Sequence, residues 1–401
     1  MNGKQAARIL VLASTYPRRP DDTLPPFVHE LARRLTGEFE VHVLAPHAAG
    51  CATHEVMDGV NVHRFRYLPS RFETLAYSSG MLQGLRRRPW RLLALPFFLM
   101  GEWFAALRIL RRQRFEVIHA HWLLPHGLIA LMARALCGYT PAVVATAHGA
   151  DVYGLKSALA RTLKRRVIEL AEHVTVVSEA MLLDLRAEAG DAAYSVLPMG
   201  VDTRERFTPP TSAGERHGLL FVGRLADKKG VSVLLDAFVL LRDLPELKLS
   251  LIGAGPEEQA LRRQVAVLGL KDRVEFVGPV PNRKLPDWYR RSAVLVFPSV
   301  VTAYGDQEGL GLVPVEALAC GCPVVASDLP AIRDVIRDGE TGRLAASGDP
   351  VALAGIVREL LSDPGQAQRL AAAGRTYVRA RFDWDGVAAR YAALFRTQSR
   401  V

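Results

Sequence analysis

The chain reads as an α/β protein made of two halves, each a parallel sheet covered by helices. Two observations carry that expectation. Short apolar runs alternate with helical stretches twice over, the pattern of parallel strands joined by helical crossovers. The alternation also starts afresh after a turn-rich stretch, Pro198-Met199-Gly200-Val201-Asp202 and then Pro209-Pro210-Thr211-Ser212-Ala213-Gly214, which has the residues of a linker.

In the first half the strand candidates are 9–13, 40–45, 60–65, 117–120, 142–146, 174–177 and 195–197. In the second they are 219–222, 247–252, 274–277, 294–297, 324–326 and 343–345. Most of these runs are short and apolar, and their alternation with helical stretches reads as parallel sheets covered by helices. The boundary between domains is placed at residue 200, giving a first domain over 1–200 and a second over 201–381. No short tandem repeat or extended low-complexity tract interrupts either.

Composition fits a large folded enzyme. With 401 residues, 49% hydrophobic and 23% charged, the chain can bury a substantial core, and disorder is excluded. The cysteines Cys51, Cys137, Cys320 and Cys322 form no metal-ligand array, and Cys320 and Cys322 are too close for ordinary disulfide geometry. That pattern fits a reducing, cytoplasmic setting. The apolar run 9–13 after Lys4 and Arg8 is too short for a signal-peptide core, and no stretch is expected to reach the ~20 apolar residues of a spanning helix.

Two glutamates eight residues apart frame the most informative segment, Glu308-Gly309-Leu310-Gly311-Leu312-Val313-Pro314-Val315-Glu316. One straight helix would separate them by about 12 Å along its axis, but the glycines disfavour helix, and Pro314 suits a first helical turn. Glu308 is therefore expected in a loop and Glu316 on the helix that follows. The amides of Gly309, Leu310, Gly311 and Leu312 would then point out of a helix N-terminus, which favours anionic or oxygen-rich ligands. Upstream, the apolar run 219–222 ends at Gly223, and Arg224 and Lys229 fall in the loop before the next helix. Open α/β sheets bind ligands at that end of their strands, and the two cations suit phosphate oxygens. A sugar nucleotide has matching polarity, with hydroxyls for carboxylates and a diphosphate for cations and amides.

These residues resemble the retaining glycosyltransferases of family 4, which have the GT-B fold of two Rossmann-like domains facing a cleft, a GR…K loop and an E-x7-E motif. The resemblance extends to Pro323-Val324-Val325-Ala326-Ser327-Asp328, to Gly339-Glu340-Thr341-Gly342 and to His148-Gly149-Ala150-Asp151, so it spans most of the chain. It implies that Arg224 and Lys229 hold the donor diphosphate, Glu308 contacts hydroxyls of the transferred sugar, and Glu316 accepts from the ribose. Gly223, Gly253 and Val277 would complete the donor site. His148 would lie across the cleft beside the sugar, and His148, Arg224, Lys229 and Glu308 would form the catalytic set. In the resembled fold the final helix, residues 382–401, returns to the first domain. Many relatives follow the first strand with a Gly-Gly loop; here Tyr16 to Phe27 stands instead, and this loop, with Phe27, is assigned to acceptor approach. His121 and Asp151 are placed on the acceptor side as well.

Each polar residue has a second reading. His119 and His121, two apart at a strand end, could ligate a metal, but no matching set of ligands is evident, and a structural or cleft role is favoured over metal. Asp151 could instead cap the segment that follows it. Gly253, in Ile252-Gly253-Ala254-Gly255-Pro256-Glu257, shapes a nucleoside pocket rather than binding a second cofactor, because the dinucleotide fingerprint is incomplete. The expected activity is retaining transfer of a hexose from a nucleoside diphosphate sugar to an acceptor hydroxyl, with no cofactor and no metal. Retention with front-face attack comes from the resemblance alone. The acceptor is expected to be a lipid-linked saccharide of surface or extracellular polysaccharide assembly. A sugar-nucleotide epimerase or hydrolase, or a non-catalytic polyanion binder, is the alternative.

Charge bears on location. Of a net +10, residues 71–114 hold nine arginines against Glu73 and Glu102, or +7, interleaved with Trp90, Phe97, Phe98, Trp103 and Phe104. A basic, aromatic-bearing segment suits the interface of an anionic bilayer; otherwise its apolar residues pack inside the first domain and its arginines form a solvated rim. The cations of the donor loop lie apart from this segment, so polyanion binding alone leaves the second half unexplained and no nucleic-acid partner is expected. The inner face of the plasma membrane is the expected location.

Overall fold

The computed structural model describes residues 6–19, 22, 26–77, 89–211 and 214–399; Arg86, Arg87 and Arg88, part of the loop before Phe27, and Ser212 and Ala213 of the linker lie outside them. The chain divides into two compact units, Met1–Met199 with Val387–Val401, and Gly200–Gly386.

Unit 1 is built on eight strands: β1 (Arg8–Leu12), β2 (Glu40–Pro46), β3 (His54–Met57), β4 (Val60–Phe65), β5 (Val117–His121), β6 (Ala142–Ala147), β7 (His173–Val176) and β8 (Tyr194–Val196). Their order is β3-β4-β2-β1-β5-β6-β7-β8, parallel throughout except for the antiparallel β3–β4 pair. Unit 2 holds β9 (His217–Val222), β10 (Leu249–Ile252), β11 (Val274–Gly278), β12 (Ser292–Phe297), β13 (Val324–Ser327) and β14 (Arg343–Ala345). This second sheet is wholly parallel, in the order β11-β10-β9-β12-β13-β14. Central strands are buried on both faces: Ile9, Leu10, Val117 and Val144 in unit 1, and Leu220, Phe221, Leu295 and Val296 in unit 2, are all 0% exposed. That burial explains why the runs lack alternation.

All thirteen expected strands form, with ends shifted by no more than two residues. Only β3 escaped the sequence reading. It is a polar edge strand, and its signal was the turn Asp58-Gly59, where both residues take positive φ (49° and 81°), the combination a two-residue hairpin requires.

Two other expectations need correction. The chain leaves unit 2 at residue 387 rather than 382. Val201 N donates to Phe382 O, and Asp383 accepts from Thr203 Oγ1 and Arg204 Nε at 2.5 and 3.1 Å, so the last turn of the preceding helix stays anchored in unit 2. Beyond it, Tyr391 donates to Leu197 O, and Phe395 packs on His119 and Phe39 of unit 1. The second correction concerns residues Trp90–Arg112. This stretch has mean hydropathy 1.6 over its most apolar window and is long and apolar enough to cross a membrane by length and composition. Yet the helix Leu95–Arg112 turns Phe98, Glu102, Ala106 and Leu110 inward at four-residue spacing. Phe98 meets Phe65 and Tyr67 at ring-centroid distances of 5.1 Å, and a Cβ on Gly101 would sit 2.9 Å from Arg66 O. The helix is part of unit 1, while Trp90, Leu92, Leu93, Phe97, Met100 and Phe104 stay at least half exposed.

In each sheet the strand order runs outward both ways from one strand, from β1 in unit 1 and from β9 in unit 2. Loops leaving the carboxyl ends there part to opposite sides and open a crevice. Phe27 and His148 follow β1 and β6, and His121 is the last residue of β5; Gly223 to Lys229 follow β9, and Ser299 to Gly311 follow β12.

Candidate functional site

In unit 2 the loops after β9, β10 and β12 approach one another closely, and glycine permits it. Gly253 (φ +129°) lies so near β9 that a Cβ would fall 1.9 Å from Gly223 O, and Gly230 (φ +63°) would likewise meet Pro298 O at 1.9 Å. Side chains at either position would push the loops apart. Lys228 O accepts from Val300 N, and Lys228 Nζ reaches Asp306 Oδ1 and Gln307 O at 3.3 Å, tying the β9 and β12 loops together.

Lys229 and Glu308 meet at the centre. Their Nζ–Oε1 distance is 2.8 Å, with Lys229 Nζ 5.0 Å from the Phe297 ring centroid. Burial penalises the Glu308 carboxylate, but Lys229, Lys228 and Ser299 together outweigh that penalty and hold its pKa below the ordinary value. Glu308 is an anion beside a cation, next to a helix N-terminus. That helix, Leu312–Ala319, is capped by Gly311 at φ +88°, and the amides of Gly309, Leu310 and Gly311 find no acceptor among the described residues. Arg224 lies in the same loop as Lys229, and Val277 is half-buried near the end of β11.

Glu316 stands on the first turns of the helix. Its Oε2 accepts from Tyr289 Oη at 2.7 Å and its Oε1 from Asn282 Nδ2 at 3.4 Å, and Asn282 is itself held by Arg206 Nη1 at 3.0 Å. A carboxylate offers about four lone-pair sites, so two remain after these contacts. Burial raises its pKa to about 7, against the hydrogen bonds from Tyr289 and Asn282. Tyr289 and Asn282 were missed in the sequence, since nothing in their local pattern points to a partner 27 or 34 residues away.

In unit 1 a second group gathers around His148. His121 and His148 share a hydrogen bond, Nδ1 to Nε2, at 2.8 Å with their rings stacked. Phe27 and Trp122 flank His148 at ring-centroid distances of 5.2 and 4.9 Å. Burial, reinforced by His119 and His126, lowers the His148 pKa to about 3, so the imidazole is neutral. Trp122 holds φ 74°, a strained value for a side chain of this size, fixed by its N–H to Thr146 O at 2.7 Å. It was not singled out in the sequence, although an aromatic residue directly after a strand ending His-x-His was the available signal.

Two acceptor-side expectations are corrected here. Asp151 is 1% exposed; its Oδ2 accepts from Leu123 N at 2.7 Å, and its Oδ1 from His148 N and Gly149 N at 3.2 and 3.1 Å. It caps the turn that carries His148. His121 is 0% exposed and lies behind His148, supporting that ring. Phe27 and His148 keep partial exposure. His119 bonds Thr146 Oγ1 through Nε2, and no cluster of three or more His, Cys, Asp or Glu is placed to hold a metal ion among the described residues.

Two Rossmann-like parallel sheets with loops crowded at their switch points define the GT-B class of glycosyltransferases. The fold is that of sucrose-phosphate synthase from Thermosynechococcus elongatus, with TM-score 0.80 at 23% identity over 98% of this chain and 99% of that one. HepE of Anabaena in complex with UDP-glucose has TM-score 0.75 at 18% identity, over 98% and 100%. The family model "Glycosyltransferase Family 4" matches residues 26–205 and "Glycosyl transferases group 1" matches 202–377. A GDP-mannose-dependent α-(1-6)-phosphatidylinositol monomannoside mannosyltransferase of Mycolicibacterium smegmatis is 35% identical over 63% of this chain and 69% of its own length. A D-inositol 3-phosphate glycosyltransferase of Streptomyces avermitilis is 30% identical over 92% and 82%. The chain belongs to glycosyltransferase family 4.

Proposed function

We propose that this glycosyltransferase moves a hexose from a nucleoside diphosphate sugar to an acceptor hydroxyl with retention of configuration, the acceptor being a lipid-borne saccharide. The observation that carries the donor reading is the Lys229–Glu308 pair at 2.8 Å, set against the amides of Gly309, Leu310 and Gly311. Cation, amides and carboxylate in one place complement a diphosphate joined to a sugar. As the glycosidic bond breaks, negative charge grows on the departing diphosphate and positive charge on the sugar. Arg224, Lys229 and the helix N-terminus supply preorganised positive potential to the first, and the Glu308 anion accepts hydrogen bonds from sugar hydroxyls. Glu316 takes the ribose hydroxyls on its two remaining lone-pair sites. In unit 1, neutral His148, whose Nε2 is engaged by His121, offers Nδ1 to a hydroxyl, with Phe27 and Trp122 as apolar walls for a saccharide.

The lipid-borne acceptor and a place at the inner face of the plasma membrane are supported by the exposed row Trp90, Leu93, Phe97, Met100 and Phe104 beside the exposed Arg108 and Arg112. Apolar residues of this kind insert at headgroup depth, and arginines attract anionic lipid. The relative from Mycolicibacterium smegmatis is named for a phosphatidylinositol monomannoside acceptor.

The test is a panel of nucleoside diphosphate sugars, each with and without saccharide acceptors, followed by anomeric assignment of the product by NMR. Acceptor-dependent transfer with a retained anomeric centre, insensitive to metal chelation, is expected. Equal donor consumption without an acceptor would make the chain a hydrolase or epimerase. For the membrane, Phe97→Ser with Phe104→Ser is expected to reduce sedimentation with anionic vesicles while transfer to a soluble acceptor persists.

A further inference from the structure

Unit 2 has an open cavity of about 1370 Å³ at the opposite end of its sheet from the Lys229–Glu308 site. Its floor is formed where strands begin, by His217 of β9, Ala293 of β12 and Pro323 just before β13. A six-residue strand such as β9 sets the two ends roughly 20 Å apart, so this cavity is separate from the donor loops. One wall is a single face of the helix Pro364–Phe382, which presents Ala367, Ala371, Arg375 and Arg379 at four-residue spacing. Residues so spaced stack along one helix face.

That face changes character along its length. Toward the helix N-terminus the small Ala367 and Ala371 leave room, and Leu360 and Pro323 add apolar wall. Toward the C-terminus come Arg375 and Arg379, neither of which has an ion-pair partner among the described residues. Arg216 also borders the cavity; its guanidinium donates to Tyr289 O, Ser292 O and Cys320 O, which satisfies hydrogen bonds without cancelling charge. The acidic residues on the rim do not neutralise it either. Asp383 is engaged by Thr203 and Arg204, and Glu215 is 90% exposed. An apolar end beside a cationic end, in an open cavity with room for a small organic molecule, calls for a ligand of the reverse polarity.

We propose that this cavity binds an amphipathic organic anion, its phosphate or carboxylate head between Arg375 and Arg379 and its apolar body against Ala367, Ala371 and Leu360. The site is independent of the donor reading and lies outside the residues that reading uses.

Calorimetry on the full chain tests it, with 1-naphthyl phosphate, 1-naphthoate, 1-naphthol and inorganic phosphate as probes. Both aryl anions bind, and a tighter constant for one of them identifies the head group; naphthol and inorganic phosphate bind at least tenfold more weakly. Arg375→Gln with Arg379→Gln weakens the aryl anions on the order of tenfold per arginine, the size of one charge-assisted contact, and leaves transferase turnover unchanged. Ala372→Trp, an exposed position on the cavity wall, blocks binding without changing charge. GDP at saturation does not displace the probe. Displacement by GDP, equal binding of naphthol, or unaltered affinity in both variants would overturn the proposal, and displacement by GDP would do so while leaving the donor reading intact.

Discussion

Removing the Lys229 cation tests whether the Lys229–Glu308 pair is one unit. Glu308 is 7% exposed, and its carboxylate lies 2.8 Å from Lys229 Nζ. Lys228, the next cation, is engaged at 3.3 Å by Asp306. Lys229→Met therefore leaves a buried carboxylate with its main compensation gone, and a broken buried pair costs about 3 kcal/mol. Glu308→Gln alone strands the ammonium instead, at similar cost. The double variant removes both charges, so its loss is expected to fall well below the sum, with a coupling near 2 kcal/mol. Chemical denaturation of the four proteins, following the transition of unit 2, measures the cycle. The sign with pH follows from the lowered Glu308 pKa: the wild-type contribution is present above the ordinary carboxylate value and is lost as pH falls through the lower folded value. In Lys229→Met burial is opposed only by Lys228 and Ser299, so the folded pKa rises and the loss appears as pH increases. Turnover should fall in all three variants, including the double, because the restored stability brings back neither the phosphate cation nor the hydroxyl acceptor. Strictly additive stability losses would refute the reasoning, since they would mean the two charges do not share one desolvated environment.

Glu316→Gln should flatten a pH dependence. A folded pKa of about 7 against an ordinary value of 4.5 means its contribution to stability is present below the ordinary value and is lost as pH rises through 7, about 1.4 kcal/mol between pH 6 and 8. Donor affinity should move the opposite way, rising over that interval as the carboxylate ionises, and both trends should shrink in the glutamine variant; parallel wild-type and variant profiles would remove Glu316 from the donor site. Asp151→Ala should cost about 1–3 kcal/mol, because buried amides of Leu123, His148 and Gly149 lose their acceptor. Its kcat should fall with little change in donor affinity, whereas a rise in donor KM alone would place Asp151 against ligand. His148→Gln should lower turnover with no inflection added between pH 5 and 8, since an imidazole held near pKa 3 does not titrate there; a lost wild-type inflection in that range would contradict a neutral ring.

Thirteen strands, the two-unit organisation, and the placing of Glu308 in a loop and Glu316 on the helix after it could be read from the chain alone. Strands buried on both faces leave continuous apolar runs, and glycine and proline mark where backbone conformation must change; both are local signals. β3 was missed because a polar edge strand buries too little to leave such a run. The sequence could name Lys229 and Glu308, but their 2.8 Å contact depends on strands β9 and β12 lying side by side. The same holds for Tyr289 and Asn282 beneath Glu316. Asp151 shows the limit most clearly: a cap and an acceptor contact look alike in sequence, and only the amides of Leu123, His148 and Gly149 closing around its carboxylate decide between them. For the helix Leu95–Arg112, composition set its apolar character, while packing decided that Phe98, Glu102, Ala106 and Leu110 face the core and that Phe97 and Phe104 stay exposed. Burial is a property of neighbours distant in the chain, so it is tertiary structure that assigns each apolar residue to core or surface.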